Sequence, residues 1–288
     1  MTIKLARPAQ PRLWRNLALA TVTLAAMPAL AQTTPLTRAH QMGATLWLTD
    51  GGEGGEAAAP AETAPPAAEG GEQGEAGSVA SGDATVDFLA GLLQIEGHLA
   101  TAFALFAEGD QMNGQAHLGH PRAEVYDGLE QELATLGQPQ FEDALDRLLD
   151  AATNGQDVTD LRAQVQTAIT TARAAAVAHD PRDDFTALVH LIRKAGTEWS
   201  EGVQDGKLAN LHEYQDAWGF VQAARARATD LATSPDAATK SAALATLAAL
   251  DDIAPALPAV TPTGPIGGDA AMFAAAAARI ELAAFKVK

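Results

Sequence analysis

Three of the chain's seven histidines stand within one stretch, Gly91 to Glu132, which reads GLLQIEGHLATAFALFAEGDQMNGQAHLGHPRAEVYDGLEQE. His98 lies inside a helical pattern of apolar residues, whereas His117 and His120 follow a Gly/Asp/Asn break as His-Leu-Gly-His-Pro. A chain that doubles back at Asp110–Gly114 returns the second helix towards the first, so that all three imidazoles can meet. Neutral imidazole is the commonest protein ligand for metal ions. His117 and His120 are three residues apart, which on a helical turn puts them on one side. Glu96 and Glu124 are the nearby carboxylates and Met112 is the nearby thioether. Three histidines with a carboxylate suit iron, zinc, nickel or copper, and a methionine beside them favours copper. The competing reading is packing, with His98 on a helix surface, His120 at a helix N-cap and His117 hydrogen-bonded in the interior. The H-x-x-H spacing lacks the glutamate of the zinc-protease motif H-E-x-x-H.

A second candidate is Glu198 to Phe220, EWSEGVQDGKLANLHEYQDAWGF. Trp199, Tyr214, Trp218 and Phe220 are interleaved there with Glu198, Glu201, Asp205, His212, Glu213 and Asp216. The structural reading is an aromatic plug that seals one end of a helical hairpin across the Asp205-Gly206 turn. The functional reading is a carboxylate-lined cation site, or an aromatic slot for a flat ligand such as haem.

Helices must carry both stretches. Phe88, Leu92, Ile95, Leu99, Ala102, Phe103 and Phe106 recur at three- and four-residue steps, the stripe of an amphipathic helix that Gly109-Asp110 ends. Pro121 suits the first position of a second helix, with His120 at its cap, running through Val125, Leu129 and Leu133 to Gly137. Further helical patterns cover Phe141–Ala152, Val158–Ala178, Asp184–Gln204, Leu208–Leu231, Pro235–Leu250 and Ala270–Phe285. Asp157 and Asp183 stand where N-caps belong, and Asn154-Gly155, Asp180-Pro181 and Asp205-Gly206 punctuate the pattern. No alternating strand pattern of useful length interrupts it. The fold class expected is all-α, an up-and-down helical bundle over residues 85–288.

What precedes the bundle reads differently. Residues 1–31 have a basic start (Lys4, Arg7, Arg12, Arg15), an apolar run from Leu17 to Leu30, and Ala-Leu-Ala before Gln32, the pattern of a cleavable signal peptide. Residues 32–50 form a short segment with a Leu46-Trp47-Leu48 patch, and residues 51–84 an acidic Gly/Ala/Pro/Glu-rich linker expected to be disordered. Removing the leader's four basic residues from a chain of formal charge −17 leaves −21. Such a charge argues against nucleic acid and against an anionic membrane as partners. Without cysteine there are no disulfides, thiolate metal sites or covalently attached haem. No nucleophile elbow or phosphate loop is present, so no enzyme is expected.

The second stretch resembles the extracytoplasmic helical region of oxidase-dependent-type bacterial iron permeases. Trp199, Val203, Asp205, Gly206, Lys207, Asn210, Glu213, Tyr214, Ala217 and Phe220 carry the likeness. Together with the first stretch it is also similar to a group of small exported helical proteins of Gram-negative bacteria. These share a G-H-L and an H-x-x-H-P-x-x-E-x-Y signature, here Gly97, His98, Leu99, Ala116, His117, His120, Pro121, Glu124 and Tyr126. The permease's membrane helices and its arginine–glutamate–x–x–glutamate iron motifs are missing from this chain. The likeness therefore implies an accessory or detached module, with iron handling as its task. The expectation is a periplasmic metal-binding protein, iron first and copper second, with His98, His117, His120, Glu124 and Glu96 as ligands or their partners. Haem is the cofactor alternative, and a membrane transporter or periplasmic protein the expected macromolecular partner. The rival expectation is a non-catalytic interaction protein that holds no metal.

Overall fold

The computed structural model describes residues 81–176 and 180–288. The expected leader, the 32–50 segment and nearly all of the 51–84 linker lie outside these residues.

Helix α1, Ala84–Glu108, starts where the Asp83 carboxylate accepts the N–H groups of Thr85 and Val86, at 2.9 and 3.2 Å. It stops at Gly109, whose φ of 87° is left-handed, a conformation glycine adopts without a steric penalty. The sequence suggests one apolar stripe, but the structure buries α1 on several sides at once, including Leu89, Leu93 and Leu105. The reason is its neighbours, since α1 packs against α2, α5, α6 and α7, whose ranges follow below. α1 also has the length and hydropathy of a membrane span, yet 78% of its most apolar window is buried inside the bundle.

After the turn, α2 spans Gln111–His120, with Asp110 accepting the Asn113 N–H at 3.2 Å. The second helix thus begins ten residues before the expected start at Pro121. His120 is not an N-cap but the last residue of α2, and a π-helical turn, Pro121–Val125, continues the rod. Pro121, inside this continuous rod, has no N–H to give the preceding turn, which is where the winding widens. Then come α3 (Glu130–Thr135), α4 (Glu142–Thr153) and α5 (Thr159–Ala176). Asp157 does cap α5 through Thr159, whereas at the start of the next helix Asp180, not Asp183, accepts the Arg182 N–H.

The remaining helices are α6 (Arg182–Gly202), α7 (Leu211–Leu231), α8 (Ala237–Ile253) and α9 (Ala270–Ala284). They close a four-membered ring in which α6 and α8 each touch both α7 and α9. α1 lies along the α6–α7 face of that ring. The all-α bundle is therefore as expected, with one addition. Val203–Gln204 (β1) and Lys207–Leu208 (β2) pair antiparallel across Asp205-Gly206. Both turn residues have positive φ, 52° and 69°, as a two-residue hairpin loop of this hand requires. The aromatic residues plug this end. Trp199 donates its indole N–H to Ala256 O at 3.1 Å, and Tyr214 its hydroxyl to Ala259 O at 2.8 Å, so both clamp the proline-bearing loop onto the bundle.

Candidate metal centre

The centre depends on how closely two helices approach. At the α1–α7 crossing a Cβ on Gly97 would sit 2.5 Å from the Phe220 ring, and one on Gly219 would sit 2.4 Å from Gly97 O. Two glycines therefore let the backbones touch, and Thr101 locks the register by donating its hydroxyl to Gln215 O at 3.0 Å. One turn before Gly219 on α7 stands Asp216, and one residue after Gly97 on α1 stands His98. The crossing puts them together.

His98 Nδ1 is 2.7 Å from Asp216 Oδ1, and His117 Nδ1 is 3.0 Å from the same oxygen. His120 Nδ1 lies 3.7 Å from Asp216 Oδ2. The His117 and His120 rings are 5.0 Å apart and the His98 and His120 rings 5.1 Å. His98, His117, His120 and Asp216 are all buried, and each offers a ligand atom within 4.8 Å of the others. α2 presents His117 and His120 inward because they are three residues apart on one helical face. Isolated in this interior, Asp216 would be costly to ionise. Burial pushes its carboxyl up, but the charges and hydrogen bonds of His98 and His117 outweigh burial and hold it well below the usual carboxylate range.

The outer contacts define the imidazoles further. His117 Nε2 is 2.9 Å from the Gln215 side-chain oxygen, while the Gln215 amide nitrogen is buried with no hydrogen-bond partner among the described residues. His117 can donate Nε2–H to that oxygen, as a ligating histidine does to a carbonyl, with Nδ1 left facing the centre. His98 Nε2, on the side of the ring away from Asp216, is also buried without a partner among the described residues. On one flank the His212 ring packs 5.5 Å from that of His117, and its Nε2 lies 3.0 Å from Asn113 Oδ1. On the other, Glu124 Oε1 is 3.9 Å from His120 Nδ1.

The structure thus brings together His98, His117 and His120, with Glu124 at the edge, and sends Glu96 elsewhere. The Glu96 carboxylate faces α5 and receives both terminal nitrogens of Arg173, at 3.2 and 2.5 Å. Asp216 occupies the carboxylate position instead. Sequence reasoning had placed Asp216 in the other candidate stretch, so the two stretches share one centre. Glu124 also borders a cavity of about 450 Å3 lined by Asp87, Glu132 and Gln94, with no lysine or arginine among its lining residues.

Residues 174–284 match the iron permease-associated 4-helix bundle domain. The matched segment is the ring α6–α9 with the last residues of α5, and it resembles the helical region associated with iron permeases. No curated protein and no solved structure matches the chain. Of the centre's side chains, the matched segment carries Asp216, Gln215 and His212, while the three histidines precede it on α1 and α2.

Proposed function

We propose that this protein binds one metal ion in the bundle core and serves extracytoplasmic metal acquisition or delivery without catalysing a reaction. The observation that carries this reading is the convergence of three imidazoles and one carboxylate, all buried, on ligand atoms within 4.8 Å of one another. His98, His117, His120 and Asp216 would hold the ion, which would replace the protons now shared between the imidazoles and Asp216, while Glu124 stands beside them and Gln215 accepts from His117 Nε2. Nitrogen-rich donors with one carboxylate suit iron, copper or zinc. Iron comes first because the bundle resembles an iron permease-associated domain, and copper second because the donors are mostly imidazole. The acidic cavity that Glu124 borders would attract a cation to that flank of the centre. The leader pattern supports a periplasmic location, and an iron transporter is the partner that the domain likeness suggests.

The test is metal content of protein purified from its native compartment, by elemental analysis. Near-stoichiometric iron or copper, lost on His117→Ala with His120→Ala while helical circular dichroism persists, is the expected result. Protein that carries no metal and takes up none of iron, copper or zinc at micromolar concentration overturns the reading. The rival interaction-protein reading needs an exposed indole surface, and Trp199 is buried and hydrogen-bonded while Trp218 is half-buried.

A further inference from the structure

A cavity of about 390 Å3 lies between α1, α5 and α7, apart from the histidine centre. That is the size range of pockets that hold small organic ligands. Nine arginines occur between residues 81 and 288 of this acidic chain, and three of them, Arg162, Arg173 and Arg227, line this one cavity. Two are already oriented by carboxylates. Arg173, only 6% exposed, gives its terminal nitrogens to Glu96, and Arg227 gives Nε and one terminal nitrogen to Asp184 at 2.9 and 2.5 Å. What these pairs leave over matters more. Arg173 Nε is buried with no acceptor among the described residues. The Arg162 guanidinium rests 4.0 Å over the Phe103 ring and makes no ion pair among the described residues.

A buried N–H without an acceptor and a guanidinium held flat by an aromatic face both await an oxygen ligand. Gln166, Thr170 and Gln222 add polar groups, while Leu99 and alanines of α1, α5 and α7 supply apolar wall for a carbon skeleton. Asp230 sits on the same wall, and its charge repels a second anionic group while accepting a donor. We propose that this cavity binds a small organic monocarboxylate bearing a hydroxyl or amino donor, its carboxylate at Arg162 and Arg173 and its donor towards Asp230. The site is independent of the metal reading, since none of its residues belongs to the histidine centre.

Isothermal titration of the full chain with 2-hydroxy and 2-amino acids, from lactate and alanine to phenyllactate and phenylalanine, tests this. Succinate and inorganic phosphate serve as further probes. Expected are saturable binding of at least one monocarboxylate and about a tenfold or greater loss with Arg162→Gln, which removes a charged donor. Asp230→Asn should raise the affinity for succinate. Arg162 is exposed, so that variant is expected to fold, as circular dichroism will show. No binding at millimolar concentration, phosphate binding as tightly as any carboxylate, or unchanged affinity in Arg162→Gln each overturns the assignment.

Discussion

Among the described residues, two groups of side chains hold potential metal donors within 4.8 Å of one another, and they differ in burial and in chemistry. His98, His117, His120 and Asp216 are all buried and come from three helices. Glu198, Glu201 and Glu213 include one exposed member and lie around the hairpin at the end of α6 and α7. Lys194 donates to Glu198 at 2.7 Å, and the Asn210 amide donates to Glu213 at 3.3 Å. Proximity alone therefore separates nothing. The acidic group is made of hard anions already served by a lysine and an amide, and its open member keeps water. The histidine group gathers nitrogen donors in a buried interior around one anion.

The sharpest way to break this contrast is Asp216→Ala. It removes the common acceptor of His98 and His117 and leaves buried polar groups stranded, which should cost about 3–5 kcal/mol in urea unfolding and abolish metal binding. Gly219→Ala comes next. The added methyl meets Thr101 Oγ1 and Gly97 O, forces α7 off α1, and should cost about 1–3 kcal/mol while loosening the metal. Calorimetric unfolding and metal titration check both effects.

Glu124→Gln should leave the fold intact and weaken the metal about tenfold in a competition titration, the effect expected of a group beside the ligands. Glu198→Gln with Glu213→Gln should leave metal content unchanged, and a loss there would move the site to the hairpin. The smallest effect concerns Tyr214, which lies in sequence between the two groups. Burial pushes its hydroxyl up to about 12, so the folded state favours the neutral phenol. That contribution is complete below the ordinary tyrosine value near 10 and is lost as pH rises towards about 12. Burial raises Tyr126 as well. Ultraviolet titration of the folded chain should therefore show neither tyrosine ionising at the ordinary value.

Much of this was legible in residue order. Apolar spacing announced α1, glycine and proline positions marked most boundaries, and the histidines declared themselves by type. The start of α2 was not legible, because Gln111-Met112-Asn113-Gly114 has no apolar stripe and His120-Pro121 imitates a helix start. The Asp110 cap and tertiary contact with α1, α4 and α7 hold that stretch helical. Asp216 was visible as a carboxylate but not as the partner of His98, 118 residues away. Nothing in a single sequence aligns α7 on α1. The two glycines that set the crossing look, in isolation, like ordinary weak points of a helix. Glu96 misled for a related reason: two residues from His98, it is turned away to another helix by the 100° step of the α-helix.

The π-turn at Pro121–Val125 has a further consequence, one of phase. A five-residue hydrogen-bonded loop takes up more chain per turn than an α-helical one, so every residue beyond it is rotated relative to a regular continuation of α2. Were the same residues wound as an ordinary α-helix instead, everything downstream would swing through about one residue's step of 100°. His117 and His120 would keep their places. Glu124, now beside His120, and Tyr126, now donating to Gln140 and accepting from the Phe141 N–H, would leave theirs. The wide winding of that turn thus keeps the edge of the centre aligned with its middle.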